Sequence, residues 1–243
     1  MSLANAKCFD IQHSAFGVDV KVVDARFVTS AADARGIPAD GIPHIAFVGR
    51  SNVGKSSLIN ALTRAALART SAAPGKTRLA NLYRIAVEGG PGGPGRWAVY
   101  FADLPGYGYA RGGAASVAQL ARVAEAYFGV ARTFSCAESP DASAQLKLRV
   151  AEPIRIALVL HVVDARHPGL DADVNAADWL QSLGVERAVV ANKVDKLSRA
   201  DRAKNLRELE RTLGTAALPV SAADGEGLDD LWQLIAKLSR QRP

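Results

Sequence analysis

The chain has 243 residues, of which 49% are hydrophobic, and it carries a formal net charge of +6. This length can bury one substantial core, and every apolar run is far shorter than the roughly 20 residues that span a bilayer. The N-terminal stretch, with Lys7 and Asp10 inside it, lacks a signal-peptide core. Cys8 and Cys136 are the only cysteines, without the spacing of a disulfide framework or a zinc site. We expect a soluble, cytoplasmic protein of one domain with short additions.

The positive charge leaves two interpretations open. A basic surface attracts polyanions such as RNA through a screened field that does not depend on sequence. Interspersed acids are equally typical of solvated helix faces. The basic residues that recur near the C-terminus are Arg199, Arg202, Lys204, Arg207, Arg211, Lys237, Arg240 and Arg242.

The first predicted elements surround a phosphate-binding motif. Val20 to Val28 has the composition of a strand, a turn-rich link follows at 36–43, and the apolar run from His44 to Val48 is typical of a buried strand. Ser57 then opens a predicted helix. The eight residues between them fit G-x-x-x-x-G-K-[ST] at every fixed position. They are Gly49, Arg50, Ser51, Asn52, Val53, Gly54, Lys55 and Ser56.

The residues of this loop have separate expected roles. The glycines let backbone N–H groups turn inward around the α- and β-phosphates, Lys55 reaches the β/γ oxygens, and the Ser56 hydroxyl is placed to ligate Mg²⁺. The alternative is a glycine-rich turn that binds nothing. The strand and helix on either side favour the phosphate loop.

A polar segment and a hairpin follow the first helix. Thr77 can give its hydroxyl to Mg²⁺ only when a γ-phosphate is present; alone it would be a surface threonine. Strands are predicted near 79–87 and 96–102, antiparallel, with a Gly/Pro-rich tip at 88–95 that is too flexible to pack. The nucleotide-binding residues expected in the polar segment are Gly75, Lys76, Thr77, Arg78 and Leu79.

An acid directly follows the second of these strands. Asp103 can hold Mg²⁺ through water while the Gly106 N–H approaches the γ-phosphate, with Leu104 and Pro105 between them. An isolated Asp-x-Pro-Gly is more often a turn. The phosphate loop upstream reverses that preference.

The rest of the chain alternates helices with strands. A helix is predicted at 114–130, an inserted polar loop at 133–144, and a central parallel strand from Ile156 to Val163. Helices at 171–183, 199–213 and 228–238 then alternate with strands at 187–191 and 218–221. Such alternation indicates a doubly wound parallel sheet that binds ligands at the carboxyl ends of its strands.

A guanine-binding motif lies at one of those ends, in Asn192, Lys193, Val194 and Asp195. The Asp195 carboxylate can accept hydrogen bonds from guanine N1–H and the exocyclic amine, whereas adenine presents an acceptor at N1. After the next strand, backbone N–H groups of Val220, Ser221 and Ala222 can meet guanine O6. A helix cap at Ser221 is the alternative.

With these elements in order, the chain resembles the translation-factor-related GTPases and, within them, the EngB family, also called YsxC or YihA. The segments that carry the resemblance are Gly49 to Asn60, Leu67 to Thr77, Asp103 to Ala110 and Asp164 to Pro168. The resemblance implies an α/β, three-layer P-loop GTPase fold with a mostly parallel six-stranded sheet, one antiparallel strand and helices on both faces. It implies an extension at 1–26 and a GTPase domain at 27–239, with inserted loops near 88–95 and 133–144.

The same resemblance implies a monomeric GTP/GDP-binding switch for maturation of the large (50S) ribosomal subunit, with rRNA and ribosomal proteins as partners and effects on growth and cell division. Ser56, Thr77 and Asp103 would hold Mg²⁺, and Lys55, Thr77 and Asn52 would serve hydrolysis. Asn192 stands where many family members have Thr, and its amide would add a base contact.

Hydrolysis is expected to be slow, because no glutamine follows Gly106 to orient the attacking water. Related GTPases with Asn at the position of Asn52 use it to ligate K⁺; bracing of the loop is the alternative.

Two other functions stay open, a kinase or metabolic enzyme and a scaffold with a degenerate pocket. The first lacks a candidate acceptor-substrate lid, and the second should have lost Lys55, Ser56 or Asp103.

Overall fold

A seven-stranded sheet with the order β1-β3-β4-β2-β5-β6-β7 forms the centre of the protein in its computed structural model. The structure describes residues 20–68, 79–90, 93–107, 122–129 and 154–241. β3 is antiparallel to both of its neighbours, and the other neighbouring strands run parallel. The strands are β1 (Val20–Ala31), β2 (His44–Val48), β3 (Ala80–Gly89), β4 (Arg96–Asp103), β5 (Ile156–Asp164), β6 (Arg187–Asn192) and β7 (Ala217–Val220).

The fold class and the single antiparallel strand are confirmed, but the sheet has seven strands rather than six. The additional strand is β1, which pairs with β3 from Val20 opposite Gly89 to Ala31 opposite Ala80. The boundary predicted between residues 26 and 27 therefore falls inside a strand. Local composition indicates a strand here but not its partner, because the two pairing segments are far apart in the chain.

Helices cover both faces of the sheet. On one face α1 and α5 pack against side chains such as Phe101, which lies 5.5 Å from Trp232 between ring centroids. On the other face α2 and α3 pack around Leu82 and Tyr127. None of the helices in the described ranges is both long and apolar enough to cross a membrane. The helices are α1 (Lys55–Thr63), α2 (122–129), α3 (Asp171–Ser182), α4 (Arg199–Leu213) and α5 (Leu228–Arg240).

The position of the β5 strand explains its apolar composition. It lies between β2 and β6, so both of its edges are hydrogen-bonded. Leu158, Leu160 and Val162 enter the core under α1 and α5, whereas Val159 faces the opposite core. A strand buried on both faces needs no polar alternation.

Three described glycines of the tip between β3 and β4 accept hydrogen bonds from side chains, although the sequence predicts a tip too flexible to pack. Arg240 Nη1 donates to the carbonyl oxygens of Gly89, Gly90 and Gly93 at 3.2, 3.4 and 3.1 Å, and Trp97 Nε1 donates to Gly89 O at 2.8 Å. The sequence could not show this, because Arg240 belongs to the last helix. The predicted loop at 133–144 and the predicted helix before residue 122 lie outside the described residues.

Five parallel strands end at one edge of the sheet. Their last residues are Val48, Asp103, Asp164, Asn192 and Val220. Each predicted motif in the described ranges begins at, or directly after, one of these residues. The topology thus brings together loops that are widely separated in sequence, as expected for ligand binding at the carboxyl edge of a parallel sheet.

Candidate nucleotide-binding site

The phosphate loop joins β2 to α1 and depends on two glycines. A Cβ on Gly49 would lie 2.3 Å from Val162 O, so this residue must be glycine for the loop to rest on β5. Gly54 has φ +99°, and a Cβ there would lie 2.4 Å from Asn192 Nδ2. The glycine positions of the motif therefore serve both close packing and a left-handed turn.

Lys55 is the first residue of α1 and is buried. Its Nζ donates to Gly49 O at 3.0 Å and to Arg50 O at 3.2 Å. The ammonium therefore binds the backbone at the start of the phosphate loop. Burial lowers the pKa of Lys55, and the nearby charge of Asp103 opposes that shift. A cation and a helix N-terminus therefore converge where phosphates are expected.

Ser56 and Asp103 form the candidate cation site. Ser56 Oγ donates to Asp103 Oδ2 at 2.6 Å. The other oxygen, Asp103 Oδ1, is buried and has no hydrogen-bond partner among the described residues. Burial raises the pKa of Asp103, while Lys55 and Ser56 lower it. A hydroxyl beside such a carboxylate oxygen is a ligand set that suits Mg²⁺.

The segment after Asp103 lies against the phosphate loop. Leu104 N donates to Phe47 O at 3.2 Å, and the side chains of Leu104 and Pro105 are buried, so only their backbones are available to a ligand. A Cβ on Gly106 would lie 2.7 Å from Ser51 N. The chain can approach the phosphate loop this closely only with glycine at position 106.

Asn192 connects the two halves of the site. It is buried, its Nδ2 donates to Val53 O at 2.9 Å, and its Oδ1 accepts from Ala222 N at 3.3 Å. Both ends of the amide are thus used within the protein, and the additional base contact stays a prediction. The side chain ties the phosphate loop to the loop after β7.

Asp195 lies at the rim of the site with 13% of its side chain exposed. Burial alone would raise its pKa, but hydrogen bonds from Lys196 and Ser221 lower it, so the carboxylate stays ionised. Ser221 Oγ donates to Asp195 Oδ1 at 2.9 Å and accepts from Ala223 N at 3.2 Å. Ser221 thus stabilises both the turn that follows it and the Asp195 carboxylate. It is not the N-cap of α5, because Gly227 occupies that position.

Lys193 is held by a cluster that sequence reasoning missed. Its Nζ donates to Asn52 O at 2.5 Å and to Asp164 Oδ2 at 2.9 Å. Arg166 Nε and Nη2 donate to the two oxygens of Asp164 at 2.9 and 2.7 Å. Although burial opposes it, hydrogen bonds from Arg166 and Lys193 hold the pKa of Asp164 well below its usual range. In the sequence, Asp164 and Arg166 were noted only as part of the family resemblance. In the structure, Asp164 binds the Lys193 ammonium, and Arg166 holds Asp164 in place.

The remaining predicted residues divide into three groups. The side chains of Val53, Val194 and Val220 belong to the core, so only their backbones can reach a ligand. Ser57 is exposed on α1, and Leu79 directly precedes β3. Gly75, Lys76, Thr77 and Arg78 lie outside the described residues.

The Arg50 side chain forms an ion pair with an acid of α3. Its Nε lies 3.1 Å from each carboxylate oxygen of Asp173, on α3. No sequence signal singled out Asp173, because an acid in the first turn of a helix is an ordinary feature. This pair was therefore missed.

Fold and site together define a P-loop GTPase, in which the phosphate loop and the motif from Asn192 to Asp195 meet at one sheet edge. The sequence model of the family described as "50S ribosome-binding GTPase" matches residues 44–193. A probable GTP-binding protein EngB from Anaeromyxobacter sp. (strain K) is 40% identical over 228 residues, which are 92% of this chain and 95% of that protein. One from Heliobacterium modesticaldum is 36% identical over 221 residues, with 89% and 92% covered. The chain belongs to the EngB family of GTP-binding proteins.

Solved structures agree on the fold. Era in complex with MgGDPNP and nucleotides of 16S ribosomal RNA has a TM-score of 0.61 at 22% identity, covering 83% of this chain and 58% of that chain. A probable GTP-binding protein engB has a TM-score of 0.53 at 22% identity, covering 82% and 99%. These likenesses extend to the arrangement of helices and strands.

Proposed function

We propose that this protein is a GTP-hydrolysing switch that binds precursors of the large (50S) ribosomal subunit in the cytoplasm and assists their assembly, and that growth and cell division depend on it through this role. The observation that carries the proposal is the match of residues 44–193 to a family described as 50S ribosome-binding GTPases. That range contains the phosphate loop, Asp103 and the first half of the guanine motif. We expect the protein to act as a monomer.

The strand-end loops support the following roles. Gly49 to Ser57 would hold the α- and β-phosphates, and Lys55 would leave its loop carbonyls for the β/γ oxygens. Asp195 would accept hydrogen bonds from guanine, because its carboxylate is ionised and braced by Ser221 and Lys196. The Ala222 N–H and its neighbours would face guanine O6.

Ser56 and Asp103 would hold Mg²⁺, with Thr77 added when a γ-phosphate is present. Asp103 Oδ1 has no hydrogen-bond partner in the described ranges, which supports this assignment, because a buried carboxylate oxygen without a hydrogen bond is costly unless a cation or a donor compensates it. When bound, the ion neutralises charge on the phosphate oxygens. The protein's own contribution is to fix the hydroxyl and the carboxylate beside each other.

Hydrolysis would be slow, because Tyr107 occupies the position after Gly106 and no glutamine is present there. Asn52 has φ +66°, and its carbonyl accepts from Lys193 Nζ. Its side chain would either ligate K⁺ or brace the loop. Single-turnover GTP hydrolysis measured in K⁺ and in Na⁺ decides between these roles, since equal rates would remove the K⁺ ligand.

Ion pairs on α4 reduce the number of its basic side chains that are available to bind rRNA. Arg202 pairs with Glu226 at 2.5 Å and Arg211 pairs with Glu208 at 2.6 Å, so part of the positive charge is compensated internally. Arg199, Lys204 and Arg207 are exposed on the same helix. These three are the side chains of α4 that we expect to contribute most to polyanion binding.

Co-sedimentation with large-subunit precursors tests the proposal. The protein is mixed with particles and GTP analogue, GDP or no nucleotide across a salt series. Binding should be tighter with the analogue by about 1 to 3 kcal/mol, as is usual for coupled sites, and should weaken with salt. Lys55→Ala should lose the nucleotide dependence. Binding to the particles that does not depend on the nucleotide at any salt concentration would refute the proposed switch function and favour a metabolic enzyme.

A further inference from the structure

A partly buried cluster of polar side chains lies beside the phosphate loop, and these side chains play no part in the roles assigned so far. It consists of Arg50, Tyr107, His161 and Asp173. The Tyr107 hydroxyl donates to Asp173 Oδ1 at 2.9 Å and lies 2.7 Å from His161 Nε2. These four residues come from four separate parts of the fold, namely the phosphate loop, the segment after β4, the β5 strand and α3.

The hydrogen bonds determine which atom of His161 carries the proton. Because the Tyr107 hydroxyl gives its proton to Asp173, the second contact requires His161 Nε2 to donate to the tyrosine oxygen. His161 Nδ1 is then a bare acceptor, and it has no hydrogen-bond partner in the described part of the chain. The tyrosine hydroxyl is therefore fixed from two sides.

Asp173 is the common anchor of the cluster. Only 1% of its side chain is exposed, and it accepts from Arg50 Nε through both oxygens as well as from Tyr107. A buried carboxylate is stable only with such partners, because Arg50 compensates its charge and the Tyr107 hydroxyl satisfies one of its oxygens. The phosphate loop and the residue after Gly106 are thus attached to the same carboxylate.

The backbone of Tyr107 is attached to the phosphate loop as well. Its carbonyl oxygen accepts from Ser51 N at 3.2 Å, and Arg50 and Tyr107 form a parallel bridge. Tyr107 and Asp103 therefore hold the two ends of a three-residue link. Within this link Gly106 already touches Ser51 so closely that no Cβ fits. A displacement of Tyr107 must move Gly106 relative to the phosphate loop.

We propose that Tyr107 is a positioning residue for GTP hydrolysis, which holds the link of residues 104–106 against the phosphate loop through its hydroxyl contact with Asp173. It occupies the position at which a water-orienting glutamine stands in other switch GTPases, but its side chain points inward. The proposal concerns hydrolysis alone, so it is independent of ribosome binding.

Tyr107→Phe tests the proposal with a matched control. The control is Tyr127→Phe, because Tyr127 is also buried and its hydroxyl lies 3.0 Å from His44 Nδ1, at the opposite end of the sheet. Tyr107→Phe should lower the single-turnover rate of GTP hydrolysis on the order of tenfold, as misplacement of reacting groups does. Its dissociation constant for GDP should stay within about twofold, and Tyr127→Phe should hydrolyse GTP at the wild-type rate.

Asp173→Asn provides a second, independent variant, together with the double variant. If both residues act through one contact, the double variant should be no slower than the slower single variant. A wild-type or faster rate in Tyr107→Phe would overturn the proposal. So would an equal loss of rate in Tyr127→Phe, or losses that multiply in the double variant, because each result would point to general destabilisation or to separate roles.

Discussion

The side-chain amide of Asn192 donates a hydrogen bond to Val53 O at 2.9 Å and accepts one from Ala222 N at 3.3 Å. One buried residue at the end of β6 thereby connects the phosphate loop with the loop that follows β7. The phosphate loop and the loop proposed to bind the base are therefore connected. A substitution in one of these loops should therefore change ligand binding by the other.

Asn192→Ala should weaken GDP binding by about 1 to 3 kcal/mol, because it leaves the Val53 carbonyl and the Ala222 N–H without their buried partner. Asn60→Ala is the matched control, since Asn60 also uses both ends of its amide, on Ala68 N at 2.7 Å and Ala68 O at 2.8 Å. Calorimetric titration with GDP measures both variants. Equal affinity losses would show that the Asn192 bridge has no special role in binding.

Gly54→Ala should abolish detectable GDP binding. The new Cβ would stand 2.4 Å from Asn192 Nδ2 in a backbone with φ +99°. Gly184→Ala is the control, because Gly184 has φ +66° but a Cβ added there would meet no atom of the described chain within 4 Å. It should cost about 1 kcal/mol of stability and leave binding intact. Normal GDP affinity in Gly54→Ala would contradict the observed loop geometry.

Local features of the fold could be predicted from the sequence, and long-range ones could not. The β2 strand and the α4 helix begin and end at the predicted residues. An apolar run or a helix cap depends on residues that are neighbours in the sequence, so it can be recognised without the structure. The pairing of β1 with β3 and the contact of Arg240 with the hairpin tip depend on distant partners. Asp173 was missed for the same reason. The motifs thus predict where phosphate and base would bind, whereas the residues that support those loops appear only in three dimensions.

The candidate cation site predicts a specific effect of metal removal. Wild-type protein with GDP should unfold at a higher temperature in Mg²⁺ than in EDTA, because binding to the folded state stabilises it. Asp103→Asn should remove most of this difference, since the buried charge that attracts the ion is lost. Asp230→Asn, an exposed position on α5, should keep it. An unchanged difference in Asp103→Asn would place the ion elsewhere.

Two buried histidines predict how stability depends on pH. Burial lowers the pKa of His44 to about 4, and burial with the nearby Arg187 lowers the pKa of His161 to about 3. Both rings stay neutral in the folded protein at pH 5, whereas the unfolded chain protonates them below about pH 6.5. The unfolded state binds more protons, so stability is complete above about pH 6.5 and declines on acidification.

Each histidine should contribute a loss of up to about 2 kcal/mol between pH 6.5 and pH 5. Urea unfolding at several pH values measures the decline, and NMR titration shows whether the two imidazoles remain neutral in the folded state. A free energy of unfolding that does not change between pH 7 and pH 5 would contradict their buried, neutral state.

Base selectivity of Asp195→Asn is the most direct test of the guanine-nucleotide site. The amide cannot accept from both guanine N1–H and the exocyclic amine, but it can donate to the oxygen that xanthine carries at position 2. Titration with GDP and XDP should show a strong GDP preference in the wild type and a shift towards XDP in the variant. A variant that prefers GDP as strongly as the wild type would contradict the assignment of Asp195 as the residue that reads the base.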